Sequence, residues 1–354
     1  MINYFRLPFV FLAMGCLLLG LWSGLTRIGW DLTLISLSTH HGAIMVGGFL
    51  GTLISLEKII PLKRKVLFFI PALSAASVVL FLLHQPLMSF FLLVLASAGL
   101  SGVFMYYLLR EKDIIYWLML GGAICWLVGN VLLVTRKFYP LAFPWWLAFT
   151  LLIITSERLE LMKFLPVKKR TKQLLLLFLG IYIAGTLLSF HGTGHHLSGI
   201  ALIFTSVWLM RYDLIGISIR KNALPRFAAV ALLSGYVAML FTGIFLLALN
   251  DQSLAYDAVV HTYFLGFVFS MIFAHGPIIM PGVLGISFKP YHKILYAWLM
   301  LLHLSWIIRI SGDIILDLDM RRISGIVSVC AILCYFATIA TLTITHQRRH
   351  AKVL

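Results

Sequence analysis

The sequence predicts an all-α fold: a polytopic integral membrane protein with about twelve transmembrane helices and both termini cytoplasmic. Three observations carry this expectation. Of the 354 residues, 61% are apolar and only 11% are charged, and the mean hydropathy of +1.01 lies far above that of a soluble domain. Apolar runs of about 17–25 residues, long enough to cross roughly 30 Å of hydrocarbon as a helix, recur along the chain. The connections between runs alternate between rich and poor in Lys and Arg, the pattern left when basic residues are retained in the cytoplasm during insertion.

Taken in order, the runs fall at 7–25, 33–55, 66–83, 87–109, 114–134, 141–156, 174–190, 197–215, 227–249, 257–281, 293–311 and 325–345. The first is too long for the core of a signal peptide and lacks a convincing cleavage site, so it counts as a span. The sixth and seventh are the shortest. With the termini inside, cytoplasmic connections and adjoining span ends hold 22 of the 28 basic residues, including Lys168, Lys169, Arg170 and Lys172, and the opposite side holds 6. One missed span would scramble that alternation. The longest connections, around 157–173 and 212–226, are too short for a soluble domain, so residues 1–354 read as a single transmembrane domain in a bacterial-type cytoplasmic (inner) membrane.

The same distribution explains the net charge of +16. In a soluble chain it would suggest nucleic acid; here it lies beside anionic headgroups of the lipid bilayer, and no nucleic-acid partner is expected. Cys16, Cys125, Cys330 and Cys334 fall within spans and form no C-x-x-C pair, which argues against a disulfide framework or a zinc site.

Histidines define the functional question. A titratable ring is costly inside a span, and five occur there: His40 and His41 in the second, His261 and His275 in the tenth, and His303 in the eleventh. All five are candidate metal ligands. At a rise of about 1.5 Å per residue, His40, His41, His261 and His303 fall in the outer half of the membrane and His275 in the inner half.

After His40 and His41 the second span contains Gly47, Gly48 and Gly51. A ligand above a glycine-lined groove is what a flat macrocycle needs, because the ring can lie against backbone. The competing reading is helix packing, since Gly47 and Gly51 form G-x-x-x-G. In the tenth span Asp257 precedes His261 by one turn, where it could accept the ring N–H of a ligating histidine or cap the helix. Gly276-Pro277 and Pro281-Gly282 follow His275 and predict a broken helix beside a polar cavity. Glu57, Glu157, Glu160 and Asp213 could feed that cavity with protons, or pair with Lys58, Arg158 and Arg211. His191, His195 and His196 read as a solvated external loop, with metal binding as the alternative.

Three segments resemble a known family. Phe5-Arg6-x-Pro8-Phe9, His41-x3-Met45-x-Gly47-x-Phe49 and His261-x4-Gly266 are similar to the NnrS-type membrane proteins, twelve-span haem proteins associated with nitric-oxide stress and related in architecture to the large subunit of haem-copper oxidases. The resemblance implies haem b, with His261 and either His40 or His41 as axial ligands, Gly47 and Gly48 beneath the macrocycle, His303 as a further ligand or distal group, and Asp257 behind His261. Copper or non-haem iron fits less well. Spans six and seven lack the histidines of a haem-copper centre, so any enzyme would be an oxidoreductase without that binuclear site. No C-x-x-C-H is present for covalent attachment. The expected role is redox, nitric-oxide or oxygen-related respiratory metabolism, with quinone or another membrane redox partner. A proton-coupled transporter without a cofactor, or an accessory factor of a respiratory complex, is the alternative.

Overall fold

The computed structural model describes residues 3–188, 190–249 and 254–351 and, within them, all side chains but those of residues 190, 191, 350 and 351. The described residues are all-helical, without a strand. Ten helices among them are long and apolar enough to cross a bilayer: α1 (Leu7–Arg27), α2 (Ala43–Leu62), α3 (Lys65–Leu82), α4 (Pro86–Glu111), α5 (Ile114–Arg136), α6 (Tyr139–Phe164), α9 (Leu224–Ala248), α10 (Ala255–Leu284), α11 (Leu295–Ile315) and α12 (Leu318–Arg349). Between α6 and α9 stand α7 (Lys169–Leu187) and α8 (His195–Tyr212), at the places of the seventh and eighth apolar runs. Their composition is more polar because α7 opens on Lys169-Arg170-Thr171-Lys172 and α8 on His195-His196.

The described residues group into two compact units, within residues 1–160 and 161–354. In the first, α2 is the hub. A Cβ at Gly47 would lie 2.7 Å from Leu93 on α4, one at Gly48 would strike Val78 on α3, and one at Gly51 would strike Trp126 on α5. Tight connections join α4 to α5 and α5 to α6. Each turns on a lysine with left-handed backbone, Lys112 at φ 48° and Lys137 at φ 52°, which closes the preceding helix. Asp113 then caps α5, its carboxylate accepting from the Ile115 N–H at 3.0 Å.

In the second unit α9 packs against α8 and α10 through small residues. The Gly199 carbonyl faces Gly243, and Gly235 faces Met271 and Ser270. A hairpin turning on Leu316 joins α11 to α12, which are tied by a Ser328 to Ser305 hydroxyl bond of 2.8 Å. Many outward side chains are as apolar as the core: Phe11, Leu109, Leu177 and Met300 are 66%, 70%, 56% and 70% exposed. Helices apolar all round are what a non-aqueous surrounding selects.

Two helices depart from α geometry at the histidines. A 3₁₀ turn over Ile35–His40 leads into a π-helical stretch over Ala43–Gly51, and His261 is followed directly by a π-helical stretch over Thr262–Val268. Such stretches recur at functional sites because i→i+5 bonding loosens the side-chain stacking of an α-helix.

Candidate functional site

His40 and His41 are adjacent, so their rings diverge around the helix axis. His40 stacks on Phe81, with ring centroids 4.6 Å apart and planes at 20°, and its Nδ1 lies 2.8 Å from the Tyr139 hydroxyl. His41 turns to α1. Its Nδ1 is 2.9 Å from the Gly20 carbonyl and 3.2 Å from the Ser23 hydroxyl, which itself donates to that carbonyl at 2.8 Å. A carbonyl oxygen can only accept, so in the neutral ring the proton sits on Nδ1 and Nε2 carries the lone pair. Gly24 completes the bed: a Cβ there would lie 2.9 Å from His41 Cε1. The sequence reading missed Gly20-x-x-Ser23-Gly24, although a polar residue between two glycines in an apolar run is its signature.

The groove expected above Gly47 and Gly48 is corrected. Leu93, Val78 and Trp126 fill the faces of Gly47, Gly48 and Gly51, so these glycines serve the packing of α2 against its neighbours.

The tenth span assembles a charged network around His261. Its Nδ1 is 2.9 Å from the main-chain oxygen of Asp257 and 3.4 Å from that residue's Oδ1, which again places the proton on Nδ1. Asp257 lies inside the first turn of α10, whose cap is Leu254, so its carboxylate is used elsewhere. Oδ2 accepts from Arg309 Nε at 3.1 Å and Nη2 at 2.9 Å, and Arg321 Nη2 lies 3.3 Å away. Arg321 Nε in turn meets the fully buried Asp313 carboxylate at 2.6 Å. Arg309, Asp313 and Arg321 were also missed. Arg309 and Asp313, one turn apart at the end of an apolar run, were the available signal.

His303 is held at both nitrogens. Trp306 Nε1 donates to His303 Nδ1 at 2.8 Å, so the proton is on Nε2, which lies 3.0 Å from the Ser270 hydroxyl; Ser270 donates its O–H to the Gly266 carbonyl at 2.6 Å. This tautomer is opposite to that of His41 and His261, and it makes His303 a brace for the π-helical part of α10.

His275 donates Nδ1–H to the Met271 carbonyl at 2.8 Å. The helix break expected after it is corrected: helical structure continues through Pro277 and Pro281 to Leu284. Pro277 has no N–H for the Phe273 carbonyl, but the Tyr335 hydroxyl donates to that oxygen at 2.8 Å while its ring stacks on Phe273 with centroids 3.8 Å apart. Gly276 makes the approach possible, since a Cβ there would lie 2.6 Å from Tyr335 Oη.

Three carboxylates near other helix ends, Glu57, Glu157 and Asp213, are paired. Lys58 bridges Glu57 at 2.9 Å and Glu157 at 2.5 Å, and Asp213 accepts from the Tyr236 hydroxyl and, at 2.5 Å, from the Leu214 N–H. His195 is corrected from solvated loop to buried first turn of α8, 4% exposed, with its ring 4.0 Å from that of exposed His196. The His191 side chain lies outside the described residues. Among those described, no group of three or more His, Cys, Asp or Glu side chains is arranged to hold a metal ion.

The chain belongs to the family described as "Domain of unknown function (DUF8744)", which matches residues 6–344. No curated protein and no solved structure matches it.

Proposed function

We propose that this chain is a haem-b-binding, multi-pass protein of a bacterial-type cytoplasmic membrane, active in redox, nitric-oxide or oxygen-related respiratory metabolism. The carrying observation is the shared tautomer of His41, His261 and His275. In each, Nδ1–H is donated to a main-chain carbonyl at 2.8–2.9 Å, so Nε2 is the lone-pair nitrogen. Neutral imidazole with Nδ1 so engaged is the donor that haem iron takes as an axial ligand, and each of these residues could supply one such ligand. Bound haem would supply one-electron chemistry or diatomic-gas binding. His41 is the ligand of its pair, because His40 is packed against Phe81 and Tyr139. Asp257 orients His261, and His303 braces α10.

The membrane setting is supported by ten long apolar helices and by the apolar outward side chains. Counting α7 and α8 as spans gives the proposed twelve, and the basic connections support both termini in the cytoplasm. The resemblance to NnrS-type proteins in α1, α2 and α10 supports the same reading, and the redox partner would be quinone or another membrane carrier.

Optical spectra of the purified protein, oxidised and reduced after haem-replete expression, provide the test. A b-type spectrum at one or more haems per chain is expected. Absence of a Soret band overturns the reading, and substrate-dependent proton movement in liposomes by that same preparation would establish the carrier alternative.

A further inference from the structure

We propose that Arg309, seconded by Arg321, is a positioning residue that sets the tautomer and orientation of His261 by aiming the Asp257 carboxylate. The chemical use of His261 as an iron ligand rests on the reading above; the positioning does not.

The geometry divides the two oxygens of Asp257 between two tasks. Oδ2 accepts two N–H groups from the Arg309 fork, at 3.1 and 2.9 Å, with Arg321 Nη2 at 3.3 Å. Two N–H groups of one rigid guanidinium converging on Oδ2 hold that oxygen in place and leave Oδ1 for another partner. Held there, the carboxylate presents Oδ1 to His261 Nδ1 at 3.4 Å, on the same nitrogen that the Asp257 main-chain oxygen faces at 2.9 Å. Nδ1–H therefore meets two oxygens of one residue, and the opposite tautomer would set a lone pair against both.

Arg321 is held in turn, since its Nε meets the buried Asp313 carboxylate at 2.6 Å while its Nη2 faces Asp257. The network joins α10, α11 and α12, so the state of one ring is written by residues 48 and 60 positions further along the chain.

Solid-state 15N spectra of the full-length, histidine-labelled protein test this without haem, with the His261 resonances assigned by comparison with His261→Ala. The wild type should show a protonated Nδ1 and an unprotonated Nε2. Arg309→Gln and Asp257→Asn should lower the ratio of the Nδ1–H to the Nε2–H form about tenfold, the scale on which outer partners act on a histidine ligand. His275, whose tautomer rests on Met271, should not change. Arg309→Lys keeps the charge and the fold while losing the fork, and should give an intermediate ratio. An unchanged His261 signature in Arg309→Lys and Asp257→Asn overturns the proposal, as does a His275 signal that shifts equally. In haem-replete protein the same substitutions should weaken haem retention about tenfold. Shifted tautomers in a chain that never takes up haem would retain this inference and discard the haem reading.

Discussion

His41 in the first unit and His261 in the second reach the same tautomer by opposite means. His41 rests on backbone and small residues, with Gly20, Ser23 and Gly24 supplying a carbonyl, a hydroxyl and clearance. His261 is fixed by a carboxylate that two arginines hold in place. The comparison teaches that the first histidine is set by shape, so steric changes should dominate there. The second is set by charge, so its sensitivity should lie in residues that never touch the ring.

Breaking the charged side should have the largest effect. Arg309→Leu leaves Asp257 short of its main partner at a site that is 17% exposed, and removal of one member of a buried pair typically costs about 3–5 kcal/mol. Thermal melting in detergent should fall accordingly. Asp257→Leu in the same background should recover part of the loss, because the stranded charge is then gone.

On the side set by shape, Gly24→Val should push the His41 ring off its carbonyl. Overpacking of this kind costs about 1–3 kcal/mol. The 15N signature of His41 should change while that of His261 stays, and equal change at both would contradict their independence. Tyr335→Phe keeps the stack on Phe273 but leaves the carbonyl opposite Pro277 without its donor, at a cost of about 1–3 kcal/mol. Faster hydrogen exchange around Pro277 would report it. The smallest effect belongs to Ser23→Ala. It removes one of two acceptors on His41 Nδ1 and should cost about 0.6 kcal/mol, the average for hydrogen bonds in such proteins.

Helix positions were legible in the sequence because an apolar run long enough to cross hydrocarbon has few other outcomes. The runs at 87–109 and 114–134 match Pro86–Glu111 and Ile114–Arg136 within a few residues. Two of the misses share a cause. The sixth run stops short of Glu157 and the twelfth begins only after Arg321 and Arg322, whereas α6 continues to Phe164 and α12 begins at Leu318. Charged residues stay helical there because Glu157 meets Lys58 and Arg321 meets Asp313 and Asp257, and such partners lie too far apart in sequence to be paired by reading along it.

The π-helical stretches were illegible for a different reason. Seven to nine residues are too few for hydrophobic periodicity to separate i→i+5 from i→i+4 bonding, especially where nearly every position is buried. At the candidate site the sequence placed Asp257 one turn before His261, and the two residues are in contact. It misassigned Gly47 and Gly48 because a glycine face is the same whether a macrocycle or Leu93 and Val78 cover it. Tautomers, which separate His303 from the other three, depend on Trp306, Gly20 and Met271 as partners and exist only in the folded chain.

The most direct test of the account is the reduced and oxidised optical spectrum of the purified protein beside His41→Ala, His261→Ala and His40→Ala. A b-type spectrum that is lost or altered in the first two variants and kept in the third is the predicted result. No haem in the wild type, or one spectrum common to all four proteins, would contradict it.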